Sequence, residues 1–178
     1  MERWDSLGRK AEVWVRMDTV RGDHRNQGLY MYWGNPNAQA ASEGTAVFDT
    51  AQDHEAVWHL GETGGNDSGH YRDATGHGNR GTGVALGDTS STEGMIARAL
   101  RLNGRDQYLK VPNSASLKFG RGSFTLSAWV YLESVSGKRQ VLSKRLEPGR
   151  NYELQVNGDG RVAAFPGGAA VVAAACAL

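Results

Sequence analysis

The chain has 178 residues, which is enough for one well-buried domain with part of a second, and its 20 basic and 19 acidic residues leave a formal net charge of +1. This balance argues against a surface devoted to nucleic acid, and the single cysteine excludes an internal disulfide framework or a cysteine-based zinc cluster. No apolar run approaches the roughly 18 residues of a membrane span, and the first residues lack the apolar core of a secretory signal.

In the N-terminal part, apolar residues alternate with a period of two, which places successive side chains on opposite faces of a strand. This pattern predicts strands at residues 13–16 and 29–33. The alanine-rich residues 37–47 are predicted to form a short helix. Weaker alternation further along the chain predicts strands at residues 56–60, 100–102, 109–111 and 152–156.

The clearest strand signal lies between residues 124 and 132. Its predicted core face consists of Phe124, Leu126, Ala128, Val130 and Leu132. Trp129 and Tyr131 share the opposite face, where exposed rings can stack on sugars or on a partner protein. They are therefore predicted as ligand-binding residues, although the same rings could instead pack beneath a loop or a neighbouring module.

Turn-forming residues separate these runs. Asn103–Asp106 and Asn157–Gly160 combine glycine, asparagine and aspartate, which tolerate positive φ or hydrogen-bond to their own backbone. Glycine is also abundant, at 24 of 178 residues, against roughly 7% in an average protein. Several short strands with frequent turns predict an all-β protein, which we interpret as an antiparallel β-sandwich.

A long polar loop spans residues 62–93 and contains almost nothing to bury. Within it, residues 76–81 fit G-x-G-x-x-G, but no buried strand precedes them and no helix follows, so a dinucleotide site is not predicted. Asp73 and Asn79, together with backbone carbonyls, could hold a hard cation, because carboxylate and amide oxygens are the ligands that calcium prefers. Polar turns without a metal would explain the same residues.

No catalytic constellation is found in the sequence. The histidines have no metal-binding spacing, and no G-x-S-x-G elbow occurs. A glycosidase needs two carboxylates close together, whereas the predicted strand at residues 152–156 supplies only Glu153. We therefore predict that the chain is not an enzyme.

Separated blocks between residues 53 and 162 resemble, in the right order, the LamG-like, concanavalin A-like lectin/glucanase jelly-roll family. These blocks are AVWHLGE at 56–62, DATGHGNRGT at 73–82, ALRLNGRDQYL at 99–109, VPNS at 111–114 and GSFTLSAWV at 122–130. Two N-terminal blocks resemble the end of a bacterial domain of unknown function, DUF2341, which often precedes such a jelly roll. They are AEVWV at 11–15 and LYMYWGNP at 29–36.

The resemblance implies a non-catalytic binding or adhesion module of a bacterial secreted or cell-surface protein. Carbohydrate is the implied ligand, and some relatives hold structural calcium. Matched position by position to the family's loops, the implied calcium ligands are Asp73, Asn79 and Asp106. Arg80, Asn103 and Gln107 depart from the family pattern, and these exchanges remove oxygen ligands.

We accordingly divide the chain into a fragment of an upstream DUF2341-like module at residues 1–50, the N-terminal part of the jelly roll at 53–162, and an alanine- and glycine-rich tail at 163–178. The tail is expected to be a truncated or frame-shifted end, because further strands should follow. Two alternatives stay open for the function: a structural spacer without a ligand, and an accessory domain of a larger glycoside hydrolase. The parent protein is expected outside the cell or in the cell envelope. Its expected partners are a glycan and neighbouring domains, with neither nucleic acid nor membrane insertion.

Overall fold

The computed structural model describes residues 2–23, 25–39, 41–120, 122–144 and 152–166. The chain divides into two compact units, Met1–Ser114 and Ala115–Leu178. Over the described residues the regular structure is nearly all strand, and each strand pair is antiparallel. The all-β, antiparallel class expected from alternation and turn residues is therefore confirmed. Within the same residues, no helix is long and apolar enough to cross a bilayer.

In its described residues, the first unit contains three short antiparallel pairs. They are β1 (Arg3–Asp5) with β2 (Lys10–Glu12), β3 (Thr82–Val84) with β6 (Tyr108–Lys110), and β4 (Ser91–Glu93) with β5 (Arg98–Leu100). One helical turn, α1 (Gly44–Val47), and two 3₁₀ turns lie between these strands, at Thr50–Gln52 and Asp88–Ser90. Because the strands are so short, contacts made by the loops hold much of this unit together.

The second unit contains a three-stranded meander, β7 (Arg139–Lys144), β8 (Tyr152–Val156) and β9 (Val162–Pro166), with β8 in the middle. The β8–β9 turn closes at Asn157, whose carbonyl accepts a hydrogen bond from the Gly160 N–H at 2.9 Å. Gly160 has a φ of +80°, a conformation that glycine adopts without strain. The turn predicted from these residues is confirmed.

The core of the second unit forms around Tyr152. Its ring centroid lies 5.0 Å from that of Phe119 and 5.5 Å from that of Phe124. Its hydroxyl donates to the carbonyl of Leu117 at 3.2 Å. Burial raises the pKa of Tyr152, because a phenolate would lose its solvation there. The tyrosine therefore enters the core as a neutral phenol whose polar end has a partner.

Some strand predictions are confirmed and others are wrong. The strand predicted at 152–156 is β8, and those predicted at 109–111 and 100–102 overlap β6 and β5. Of the predicted helix at 37–47, the structure contains α1 alone. The segments that belong to no sheet in the described chain are 13–16, 29–33, 56–60 and 124–132. Alternation indicates which side chains share a face, but a strand also needs a neighbour for its N–H and C=O groups, and local sequence does not specify that neighbour.

Charged groups tie the β1–β2 hairpin to the β4–β5 hairpin. The Arg3 guanidinium contacts Glu12 at 3.3 Å and Glu93 at 2.8 Å, and it donates to the carbonyl of Ala97. Glu12 also accepts from the Ala97 N–H and pairs with Lys10 at 2.8 Å. The pKa of Glu12 is lowered, chiefly by the hydrogen bond from Lys10. The Ala97 N–H and the charge of Arg3 lower this pKa further, whereas burial raises it.

Acid should therefore release this contact between the hairpins. A carboxylate whose pKa is lowered by folding stabilises the folded state above its ordinary pKa of 4.5, and this contribution is lost as the pH falls through the lowered value. We expect the free energy of unfolding to fall less steeply with decreasing pH below 4.5 in Glu12→Gln than in the wild type. Urea unfolding at a series of pH values measures both slopes, and equal slopes would contradict the assignment.

In the first unit, Tyr71 is fully buried and exchanges two backbone hydrogen bonds with Gly81, at 2.8 and 3.0 Å. Its hydroxyl accepts from the Gly65 N–H at 3.3 Å. Gly83 passes so close to this region that a Cβ atom there would lie 2.1 Å from the carbonyl oxygen of Gly65 and 2.7 Å from the side chain of Leu86. Only a residue without a Cβ atom allows the two backbones to approach in this way.

Gly83→Ala should lower the free energy of unfolding by about 2 kcal/mol or more, because the clash is with backbone, which cannot rotate away. Gly87→Ala is the matched control and should change it by less than about 1 kcal/mol. A Cβ atom at Gly87 meets nothing within 4 Å, and its φ of −150° suits any residue. Urea unfolding midpoints compare the two variants, and similar stabilities would rule out the close approach.

Candidate functional site

The carboxylate of Asp73 is the centre of the polar loop. Its Oδ1 accepts hydrogen bonds from the backbone N–H groups of Val57 at 3.0 Å and Thr75 at 2.9 Å. Its Oδ2 accepts from the Thr75 hydroxyl at 2.9 Å and from the Asn79 N–H at 2.8 Å. These four donors close residues 73–79 into a compact turn and join it to an upstream segment of the chain.

Asn79, which is 4% exposed, provides the second connection of the loop. Its Nδ2 donates to the Glu55 carbonyl at 2.9 Å, and its Oδ1 accepts from the Ser114 hydroxyl at 2.6 Å. Its backbone carbonyl accepts from the Trp58 indole N–H at 2.7 Å. The structure therefore brings Asp73 and Asn79, two of the three predicted calcium ligands, into direct contact.

The histidines of this region make ordinary polar contacts. His77 Nε2 lies 3.1 Å from the carboxylate of Glu55, and His70 Nε2 lies 2.6 Å from the carbonyl of Thr63. Across the described ranges, no group of three or more histidine, cysteine, aspartate or glutamate side chains is placed to hold a metal ion.

Asp106, the third predicted calcium ligand, belongs to a separate turn organised by Asn103. The Oδ1 of Asn103 accepts from three following backbone N–H groups at 2.9 to 3.3 Å, and its Nδ2 donates to the Asp106 carboxylate at 2.7 Å. This confirms the turn that the sequence predicts at residues 103–106. Asp106 therefore stabilises the turn at residues 103–106, whereas Asp73 and Asn79 stabilise the turn at residues 73–79.

A calcium ion held by these three residues needs several oxygens directed at one point. Both carboxylate oxygens of Asp73 are instead directed at N–H and O–H donors, whose hydrogens carry partial positive charge. The side-chain oxygen of Asn79 is directed at the Ser114 hydroxyl. These contacts fit a loop fixed by its own hydrogen bonds and do not assemble the three-residue calcium set. Calcium binding by the chain stays a prediction.

Asp73→Ala should lower the free energy of unfolding by about 2–4 kcal/mol, because four donors lose one charged acceptor. Asp106→Ala removes an exposed side-chain hydrogen bond and should cost less than about 1 kcal/mol. Thermal unfolding of both variants and of the wild type, with calcium and with excess chelator, measures these losses. Hydrogen bonding alone predicts equal losses in the two buffers. A calcium-dependent rise in the wild-type Tm that Asp73→Ala abolishes would instead establish a cation in the loop.

Trp129 and Tyr131, the predicted ligand-binding residues, are 74% and 85% exposed. They lie in a segment without regular structure. Of the predicted core face in this segment, Phe124, Leu126 and Leu132 are partly buried, but Ala128 and Val130 are exposed, which is a further correction. Without a neighbouring strand in the described chain, this part of the segment has no ladder to hold its alternate side chains against a core. Both rings are accessible.

One face of the β7–β9 sheet carries a polar group that sequence patterns did not indicate. Glu153 in β8 is paired with Ser143 in β7 and with Phe165 in β9, so the three side chains share a face. The Oε1 of Glu153 accepts from Gln140 Nε2 at 2.7 Å and from the Ser143 hydroxyl at 3.0 Å, and the Phe165 ring is about half exposed. The pairing register of the three strands brings these residues together. They could have been predicted only from that register.

Comparison with known protein families confirms both resemblances. Residues 1–60 match a domain of unknown function (DUF2341), and residues 103–175 match the concanavalin A-like lectin/glucanases superfamily. The two matches occur along the chain in the predicted order. Residues 73–79 lie outside both matched ranges. Neither the curated proteins nor the solved structures give a significant match.

Proposed function

We propose that the chain is a non-catalytic binding module of an extracellular or cell-envelope protein, and that it recognises carbohydrate through Trp129 and Tyr131. The observation that carries this proposal is the exposure of the two rings, 74% and 85%, within residues that match a lectin/glucanase superfamily. Single exposed apolar residues are common on protein surfaces, but two large rings exposed within three residues of chain are less common. Exposed tryptophan and tyrosine are enriched at contact surfaces.

An aromatic ring can hold a sugar because the C–H groups on one side of a pyranose form an apolar patch. That patch packs on the ring face, whose negative quadrupole attracts the weakly positive hydrogens. Stacking alone discriminates poorly between sugars, so hydrogen bonds to the hydroxyl groups have to provide orientation and specificity.

The polar face of the β7–β9 sheet offers such hydrogen-bonding groups within the same compact unit. Gln140, Ser143 and Glu153 present an amide, a hydroxyl and a carboxylate, which together can donate to and accept from sugar hydroxyls. The half-exposed ring of Phe165 adds an apolar surface beside them. This face supports carbohydrate as the ligand class, since it repeats the combination of a ring and polar groups.

The surroundings of Glu153 support the non-catalytic part of the proposal. Hydrolysis of a glycosidic bond uses two carboxyl groups, about 5–5.5 Å apart in retaining and about 6.5–9.5 Å apart in inverting enzymes. In the described strands, the cross-strand neighbours of Glu153 are Ser143 and Phe165, and neither carries a carboxyl group. Glu153 acts instead as the acceptor that orders Gln140 and Ser143.

The test is isothermal titration calorimetry with a panel of neutral oligosaccharides of the gluco, galacto and xylo series. For any sugar that binds, Trp129→Ala should weaken the affinity at least about tenfold, because stacked rings are typical binding hot spots. Tyr131→Ala should have an effect of similar size. Trp4→Ala is the matched control, since Trp4 is an exposed tryptophan of the other compact unit, and it should bind as the wild type does.

Binding that survives in both Trp129→Ala and Tyr131→Ala would contradict the assignment of the rings. A wild-type chain that binds none of the panel would favour the spacer alternative. Urea unfolding of each variant separates loss of the contact from loss of the fold.

A further inference from the structure

Five consecutive apolar side chains are more than half exposed in the first compact unit: Leu29, Tyr30, Met31, Tyr32 and Trp33. The segment 29–33 belongs to no helix, turn or sheet. Among the described residues, none of its backbone N–H or C=O groups has a backbone hydrogen-bond partner. A surface strand normally covers one face and exposes the other, whereas this segment exposes both alternating sets of side chains.

We propose that segment 29–33 pairs with the same segment of a second copy of the chain. The contact is an antiparallel strand pair with a two-fold axis at Met31. It satisfies the backbone groups of both copies and removes apolar side chains from water on both faces. It does not depend on carbohydrate binding.

The order of the residues in segment 29–33 favours a second copy of the chain as the partner. Antiparallel pairing centred on Met31 places Leu29 opposite Trp33, and Tyr30 opposite Tyr32. Leu29, Met31 and Trp33 lie on one face of the pair and the tyrosines on the other, so each side chain meets an apolar or aromatic partner. A two-fold contact requires a patch that is complementary to itself, and this segment meets that requirement.

No charge within the segment opposes the pairing. From residue 26 to residue 42 the sequence contains no aspartate, glutamate, lysine or arginine. Exposed strand edges usually carry such charges to prevent association. Tyrosine and tryptophan favour an extended backbone. Gly34, with a φ of +85°, and Pro36 end the pairing beyond residue 33.

The exposed area is enough for a weak dimer. At roughly 200 Å² a ring, the three aromatic side chains expose on the order of 500 Å² per copy. Leu29 and Met31 bring the segment toward the roughly 800 Å² per partner of a standard interface. Pairing buries part of this surface, and a two-stranded contact by itself is marginal, so we expect a dimer that forms as the concentration is raised.

Sedimentation velocity of the full chain over a concentration series tests the proposal. The expected result is a shift from the 19.2 kDa monomer to a species of twice that mass. Met31→Lys places two lysines opposite each other at the axis and should raise the dissociation constant at least about tenfold. Met95→Lys is the matched control and should dimerise as the wild type does, because Met95 is 63% exposed and Met31 59%.

A mixture of Met31→Lys and Met31→Glu tests the register. Opposite charges meet only if residue 31 faces residue 31, so the mixture should dimerise at least about tenfold more tightly than either variant alone. The proposal is overturned by a wild type that stays monomeric, by a dimer that Met31→Lys leaves intact, or by equal weakening in Met95→Lys. Slow amide hydrogen exchange of residues 29–33 in a monomer would also overturn the proposal, because it would mean that another segment of the same chain covers them.

Discussion

The order of the first compact unit depends on the Asp73 carboxylate. Residues 62–93 are rich in glycine and short polar side chains, and although the sequence suggests almost nothing to bury there, Tyr71 and Leu86 are buried in the structure. The residues around Asp73 are ordered mainly by hydrogen bonds. Asp73 provides a charged acceptor for four donors, and hydrogen bonds to a charged group are stronger than those between neutral groups. Through Asn79 this order extends to Trp58 and Ser114. Electrostatic interactions therefore add to the burial of Tyr71 and Leu86 in offsetting the conformational entropy of this loop.

The features of the fold that the sequence predicts well are those determined by neighbours along the chain. The turns at Asn103 and Asn157 follow from side chains and backbone groups that bond within a few residues, and β8 follows from alternation beside one of these turns. Segment 124–132 shows the limit of this reasoning. Its alternation is stronger than that of β8, yet it joins no sheet in the described chain, because a strand depends on a partner that the period of two does not identify.

The same limit applies to the residues of the candidate site. Asp73 and Asn79 lie within one short loop, so their spacing alone could predict that they meet, and they do. Asp106 comes much later in the chain and could join them only if two turns met, whereas its carboxylate bonds to Asn103 in its own turn. The group around Glu153 escaped prediction for the converse reason. Its members look unremarkable in sequence, and strand register alone places them on one face.

Two stretches of exposed aromatic residues are assigned different partners, and their composition explains the difference. Segment 29–33 is apolar on both faces and is complementary to itself, so a partner strand can satisfy its backbone and cover both faces. Trp129 and Tyr131 present two rings in the unit that also carries a polar sheet face, a combination suited to a ligand with both apolar and hydroxyl surfaces. The two stretches lie in separate compact units. A dimer formed through the first would carry two copies of the ring pair. If the rings bind carbohydrate as proposed, the second contact on a polymeric ligand would be intramolecular, so rings with modest affinity for one sugar unit would suffice to hold the polymer.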